Sequence, residues 1–319
     1  MSTLKSFHHL YNAALLRRFL GSNDELYQIQ MKLEQTLAGI KGEERVLREI
    51  QDALLNTDFI LLSNLQFTND LGFSHQIDFL VLTTQFILLI EAKNISGTLY
   101  YNKKLRQFSR MRFDGTREHF QNPFDQLKRH HEFLHYLLKN ANYQIPIIPL
   151  IINASPNSAL DTSLQDEPII NVSSFRAAIN KWQKQYRVIV TFETINKLKL
   201  FLENRVVFHE TNRYITSNLI RKGVLCPACN FRSVMHFESR TWRCSTCNKN
   251  NRGALKLALR DYRILIGKTI TNKEFRNWTG LENVVTASKL LRNFNFPYEG
   301  ANRNRIYTIP QDYLFIDLP

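Results

Sequence analysis

The stretch QIDFLVLTTQFILLIEAKN, residues 76–94, decides the fold. Two runs on either side of Thr83-Thr84, residues 76–82 and 86–92, read as strands apolar enough to lie inside a sheet. Asp78, Glu91 and Lys93 interrupt them, and charges in an otherwise apolar hairpin cost free energy unless they serve a purpose. The loop length sets their relation. A two-residue loop puts Asp78 opposite Leu89, and a four-residue loop puts it opposite Glu91. Either even loop leaves Asp78, Glu91 and Lys93 on one face, because side chains alternate with period two. An odd loop without a bulge splits them. Two carboxylates so placed can share one divalent cation. Mg²⁺ takes oxygen ligands at about 2.1 Å and keeps several of its waters. Such an ion polarises a phosphoryl oxygen and acidifies bound water. Lys93 can orient or deprotonate that water, or neutralise the charge that develops.

Outward from this hairpin the chain alternates helix and strand. Residues 43–55 carry Val46, Leu47, Ile50 and Leu54 on one helical face, and residues 58–67 read as a strand before the turn at 69–72. Residues 97–101 and 105–113 read as an added hairpin. Asn122-Pro123 opens a long helix with an apolar stripe through Phe124, Leu127, Phe133, Leu134, Leu137 and Leu138. Residues 145–152 are a last buried strand. The order is α-β-β-β-α-β, an α/β domain, and residues 169–201 add a short strand and two helices. Residues 1–38 read as a helical arm broken at 21–24. Residues 253–319 give helices at 254–266, 273–278 and 284–294, a Thr-rich turn, and a strand at 304–309, an α+β pattern that fits a winged helix-turn-helix.

Gly39-Ile-Lys-Gly42-Glu43, Gln76-Ile-Asp78, Phe86-Ile-Leu-Leu-Ile-Glu91-Ala-Lys93-Asn94 with Gly97, and Asn122-Pro123-Phe-Asp-Gln126 together resemble, in order and spacing, the nuclease-related domain (NERD) family. That family is placed among the restriction-endonuclease-like PD-(D/E)xK phosphodiesterases. The resemblance covers residues 39–155 and implies a restriction-endonuclease-like core. It implies Asp78 and Glu91 as ligands to Mg²⁺ (or Mn²⁺), Lys93 as the catalytic lysine, and Glu43 and Gln126 as helix-borne supports. The chain departs from the family at Phe79, where His is frequent, and at Gln85-Phe86, where Gly-Ile is frequent.

The remaining signals are cysteine and charge. Cys226, Cys229, Cys244 and Cys247 make a CxxC-x14-CxxC pattern, which suits a closed, structural Zn²⁺ site. The unit resembles a zinc ribbon, and somewhat the DNA-binding C4 fingers at topoisomerase C-termini. No cysteine is left over for a disulfide framework, so a cytoplasmic setting is expected. The apolar fraction of 44% is enough for a packed core and excludes wholesale disorder. The apolar stretch at 86–90 is far short of the roughly 20 residues that cross a bilayer, and no targeting segment is expected at the N-terminus. Net charge is +14, and residues 221–319 hold seventeen Lys and Arg against seven Asp and Glu. That asymmetry points to a polyanion, DNA first and RNA second. The expected contacts are Arg232, Arg240, Trp242 and Arg243 around the cysteines, Lys289 and Arg292 on a recognition helix, and Arg303 and Arg305 on a wing. Four regions follow: the arm (1–38), the nuclease-like domain with its extension (39–220), the zinc ribbon (221–252) and the winged-helix-like domain (253–319). The expected function is a metal-dependent DNA endonuclease. The alternatives are a DNA-binding protein without turnover and an RNA-processing nuclease.

Overall fold

The computed structural model describes residues 7–207 and 217–315; residues 1–6, 208–216 and 316–319 of the regions above lie outside the described residues. The chain divides into two compact units, Ala38–His209 and Met1–Leu37 with Glu210–Pro319.

Helix α1 (Phe7–Arg18) precedes α2 (Asn23–Ala53). The sequence suggested an arm ending at residue 38 and a new helix from residue 43. Instead α2 runs through Gly39 and Gly42 without a break. The two glycines differ. A Cβ at Gly39 would meet nothing within 4 Å, whereas one at Gly42 would lie 2.7 Å from the Cβ of Asn94. Gly42 therefore lets the helix backbone approach the end of the hairpin. Past it, Val46 and Ile50 form the buried stripe of α2.

Strands β1 (Phe59–Thr68), β2 (Ser74–Thr83) and β3 (Ile87–Lys93) form an antiparallel meander. Strands β4 (Gly97–Asn102), β5 (Gln107–Met111) and β6 (Arg117–Phe120) follow, then α3 (Pro123–Asn140), β7 (Ile147–Asn153), β8 (Ser158–Leu160), β9 (Ile169–Asn171), α4 (Phe175–Gln185) and α5 (Phe192–Glu203). The main sheet has the order β1-β2-β3-β7-β9, with β7 parallel to β3 and to β9. The expected added hairpin is half of a second sheet, β6-β5-β4-β8. Its outer strands are three or four residues long, too short to show a period in the sequence.

The main sheet is covered on both faces, which is why its strands read as near-continuous apolar runs. Leu80, Leu82, Ile87, Leu89 and Ile151 join Leu127 and Leu134 of α3 and Ile195 and Leu198 of α5 in one cluster. Phe79, Val81, Leu88 and Ile90 alternate with them and are no more than 1% exposed. On α4, Phe175 and Ile179 are fully buried, outside that cluster.

In the other unit, β10 (Val224–Leu225), β11 (Val234–Glu238) and β12 (Thr241–Cys244) make a small antiparallel sheet around the cysteines. Then come α6 (Ala254–Leu265), β13 (Thr269–Thr271), α7 (Asn272–Thr279), α8 (Val284–Arg292), β14 (Tyr298–Glu299) and β15 (Ile306–Thr308). The stretch read as a Thr-rich turn is thus strand β13, paired with β15 in the sheet β13-β15-β14, with Ile270 fully buried. Its threonines serve as strand and cap: Thr271 closes a capping box with Glu274 at the start of α7. Asn304 belongs to a short turn, and the last strand begins only at Ile306. Helix α1 is fastened to α6 by ion pairs of Arg17 and Arg18 to Asp261, each 2.6 Å long.

Candidate active site and metal centre

The β2–β3 ladder pairs Phe79 with Ile90 and ends at Leu82 with Ile87, leaving four residues, 83–86, in the loop. Thr83 holds that loop: its hydroxyl donates to the carbonyl of Phe86 and accepts from the amides of Gln85 and Phe86. This is the longer of the two even loops, so one step beyond Phe79 the register sets Asp78 opposite Glu91. There the ladder opens, and a carboxylate oxygen of Asp78 accepts from the amide of Ala92 at 2.8 Å. Glu91 and Lys93 share the same face, and the Lys93 ammonium donates to Glu91 Oε1 at 2.6 Å.

The neighbouring elements are held with equal definition. Asn122 caps α3 through the amide of Phe124, and Gln126, one turn in, accepts from Lys93 Nζ at 3.2 Å. Fully buried Asn153, at the end of β7, exchanges two 2.9 Å hydrogen bonds with the backbone of Ile95, fixing the chain that leaves β3. The Asn94 side chain donates to the carbonyl of Ala38, and Arg45 to that of Ala154, which ties α2 beside the hairpin at Gly42. One residue on, Glu43 is half-buried, whereas Glu44 is exposed.

Three carboxyls and one ammonium therefore share this corner. Burial, then Glu91 and Glu44, push the Glu43 carboxyl up to about 7. The Asp78 side chain keeps some open surface, but its carboxyl is enclosed; burial, then Glu91 and Glu43, hold it well above the usual carboxylate range. Glu91 is also raised by burial, against the pull of Lys93 and Gln126. An excess of enclosed oxygen donors with raised proton affinity is what a hard dication would relieve, and the donor set fits one. Residues 38–153 match the family profile of the nuclease-related domain.

The chain carries a nuclease-related domain. No curated protein and no solved structure matches it.

A histidine that the sequence did not single out stands near Lys93 of the nuclease-related domain. His130 follows Gln126 by one helical turn and lies 3.3 Å, Nδ1 to Nδ1, from His75, which stacks on Phe133. Burial, then His75, Arg129 and Lys93, hold His130 down to about 4. Its four-residue spacing from Gln126 was the available signal.

Among the described residues, the four cysteines are the one set of three or more metal-type side chains whose ligand atoms all lie within 4.8 Å of one another. The sulfurs of Cys226 and Cys247, and of Cys229 and Cys244, are 3.7 Å apart. Thiolates about 2.3 Å from a tetrahedral zinc have S···S edges of about 3.8 Å, so the sulfurs fit the ion. The two knuckles are alike: Asn230 follows Cys229 at φ 48° and Asn248 follows Cys247 at φ 55°, a left-handed turn that Asn tolerates.

Arg232, Arg240 and Arg243 are exposed around this centre. Trp242 is not available for stacking on a base. It is 3% exposed and packs on Phe237 at 5.4 Å, because so small a unit needs it as core. Phe231 meets Arg17 at 5.2 Å. Further on, Arg292, Arg303 and Arg305 line a groove of about 570 Å³ with Lys273 and Arg276 of α7, two residues that the sequence did not single out. Lys289 is exposed but is not among the residues lining it.

Proposed function

We propose that the nuclease-related domain hydrolyses phosphodiester bonds of DNA. The reading rests on one observation: Asp78 and Glu91 face each other where the β2–β3 ladder opens, with the Lys93 ammonium bonded to Glu91 and to Gln126. Asp78 and Glu91 would hold Mg²⁺ or Mn²⁺, which supplies Lewis acidity and an acidified water. Lys93 neutralises charge growing on the phosphoryl oxygens, and Gln126 orients Lys93. Glu43 supports the metal site from α2, beside Glu91. The element order from α2 through β7 supports a restriction-endonuclease-like core for residues 39–155.

In this reading residues 39–220 form the catalytic domain with its extension, behind an arm at 1–38. Residues 221–252 form a zinc ribbon, and 253–319 a winged helix that holds the DNA. Four unbridged cysteines suit the cytoplasm. No helix among the described residues is long and apolar enough to cross a membrane.

A second reading, DNA binding without turnover, is favoured by the 2.6 Å contact that closes Lys93 onto Glu91. Supercoiled plasmid incubated with Mg²⁺ or Mn²⁺, with and without EDTA, separates the two. Nicking by the native chain, lost with EDTA and in Glu91→Ala and Lys93→Ala, is the expected result. An intact plasmid that still shifts in a gel gives the case to the second reading, and cleavage of RNA alone makes the substrate RNA. Metal analysis should find about one zinc per chain by the four-thiolate rule.

A further inference from the structure

A basic groove of the C-terminal unit lies among α7, α8 and the β14–β15 wing. Lys273, Arg276, Arg292, Arg303 and Arg305 line it, and no Asp or Glu does. Their charges are uncompensated: among the described residues, none of the five is in an ion pair. Elsewhere exposed cations do find carboxylates, as Arg112 does with Glu118 and Lys197 with Glu193.

Several of the five are held in place. Arg276 donates to the Asn272 side chain and to the carbonyl of Glu282, and Arg292 to that of Ser288. The Arg305 guanidinium lies 4.1 Å from the Tyr298 ring, with its buried Nε lacking a hydrogen-bond partner. Cations held in place, none of them paired with a carboxylate and each guanidinium with N–H groups to spare, suit phosphate oxygens.

The helix start on this surface is poor in groups that could read a base. The first turn of α8, where a recognition helix meets base edges, exposes Val284 and Val285. Asn283 is occupied in capping the amide of Thr286, and the Asn272 amide in bonds to Val284 and Ser288. Valines offer no donor or acceptor to distinguish one base pair from another in the major groove.

We infer that this groove clamps the phosphodiester backbone of DNA without reading its sequence. The inference rests on the proposal that the chain acts on DNA, and it names where and how the strand is held. Position comes from phosphates and sequence information from base edges, so a clamp of the first kind alone suits an enzyme indifferent to sequence.

The test is fluorescence anisotropy of the full chain carrying Glu91→Gln, without added Mg²⁺, on labelled duplexes of one length and scrambled sequence, across a salt series. The plot of log affinity against log salt loses about 0.9 of slope per phosphate contact removed. The combined variant Lys273→Gln, Arg292→Gln, Arg303→Gln should thus lose about 2 to 3 of slope and bind roughly tenfold or more weakly at physiological salt. Arg292→Lys with Arg303→Lys should keep the slope, since phosphate reads charge where a base would demand the bidentate fork. Melting curves and zinc content check that each variant is folded. Unchanged affinity and slope in the glutamine variant would overturn the inference. So would a more than tenfold preference between scrambled duplexes, or displacement of the duplex by micromolar pyrophosphate, which would make the groove a small-anion site. Because binding is read in a chain without Glu91, the result stands apart from plasmid nicking, and either reading can fail alone.

Discussion

Glu43 pays for its position at the head of the site. Its carboxyl is half-buried beside Glu91 and Glu44 and rises to about 7, so in the metal-free fold it is destabilising when ionised. A group whose folded pKa is raised binds its proton more tightly in the native state. Its penalty is therefore present above about 7 and disappears as pH falls toward the ordinary carboxylate range. Glu43→Gln should raise the stability of the metal-free chain at pH 8 by roughly 1–3 kcal/mol. The same variant should gain less than the native chain from added Mg²⁺ in thermal melts, because ligand stabilisation scales with affinity. His130 works in the opposite sense. Held down to about 4, it stays neutral in the fold while the unfolded chain takes up a proton, so stability is lost between pH 6.5 and 4. With Glu43 gone that loss is less opposed, and the acid limb of Glu43→Gln should be steeper than the native one. An equal stability at pH 8 would show that Glu43 carries no strain.

At the scale of elements, α2 meets the hairpin at one place, and the two glycines test it against each other. Gly39→Ala fills open space and improves helix propensity, a gain of up to about 1 kcal/mol. Gly42→Ala earns the same propensity but puts a methyl 2.7 Å from Asn94, and such overpacking costs about 1–3 kcal/mol. Chemical denaturation should show the first variant stabilised and the second destabilised, with nicking lost only in the second, since α2 carries Glu43. Equal effects would mean that the helix is free to slide. This contact also shows where the sequence was legible. The β2–β3 pair could be read at sight, and period-two alternation put Asp78, Glu91 and Lys93 on one face on condition that the loop be even, which the register supplies. Whether 83–86 was a loop of two or four residues could not, because the choice is made by the Thr83 hydroxyl. The continuity of α2 was hidden because glycine looks like a break until the neighbour that requires it is known. Trp242 was misassigned for a related reason: an aromatic beside arginines suits a stacking surface as well as a core, and only packing decides.

Over the whole molecule, the two units hold separate cores with different weak points, so they should answer to different ions. In the C-terminal unit, Asp261 takes both Arg17 and Arg18. Arg18 is 1% exposed, also donates to the carbonyls of Arg221 and Gly223, and faces the Trp278 ring at 4.5 Å. Removing one partner of a buried pair costs about 3–5 kcal/mol, so Asp261→Asn should lower the melting of that unit steeply and leave nicking at low temperature intact. The cysteine sheet has little besides Val224, Leu225, Met235 and Trp242 to bury, and the binding energy of a structural zinc, about 10–16 kcal/mol in small finger peptides, replaces the missing core. A zinc-selective chelator under reducing conditions, with Mg²⁺ held constant, should therefore unfold residues 221–252 and weaken DNA binding, while the groove lined by Lys273, Arg292 and Arg303 keeps its share of the salt dependence. Residues 38–209, with both faces of their sheet covered, should keep their own melting transition. Mg²⁺ withdrawal with zinc retained should do the reverse, stopping cleavage while binding persists. Calorimetry of the two depletions is the measurement. If zinc removal lowered both transitions in step, the units would be folding as one body, and the division of labour between a cutting domain and a holding one would lose its physical basis.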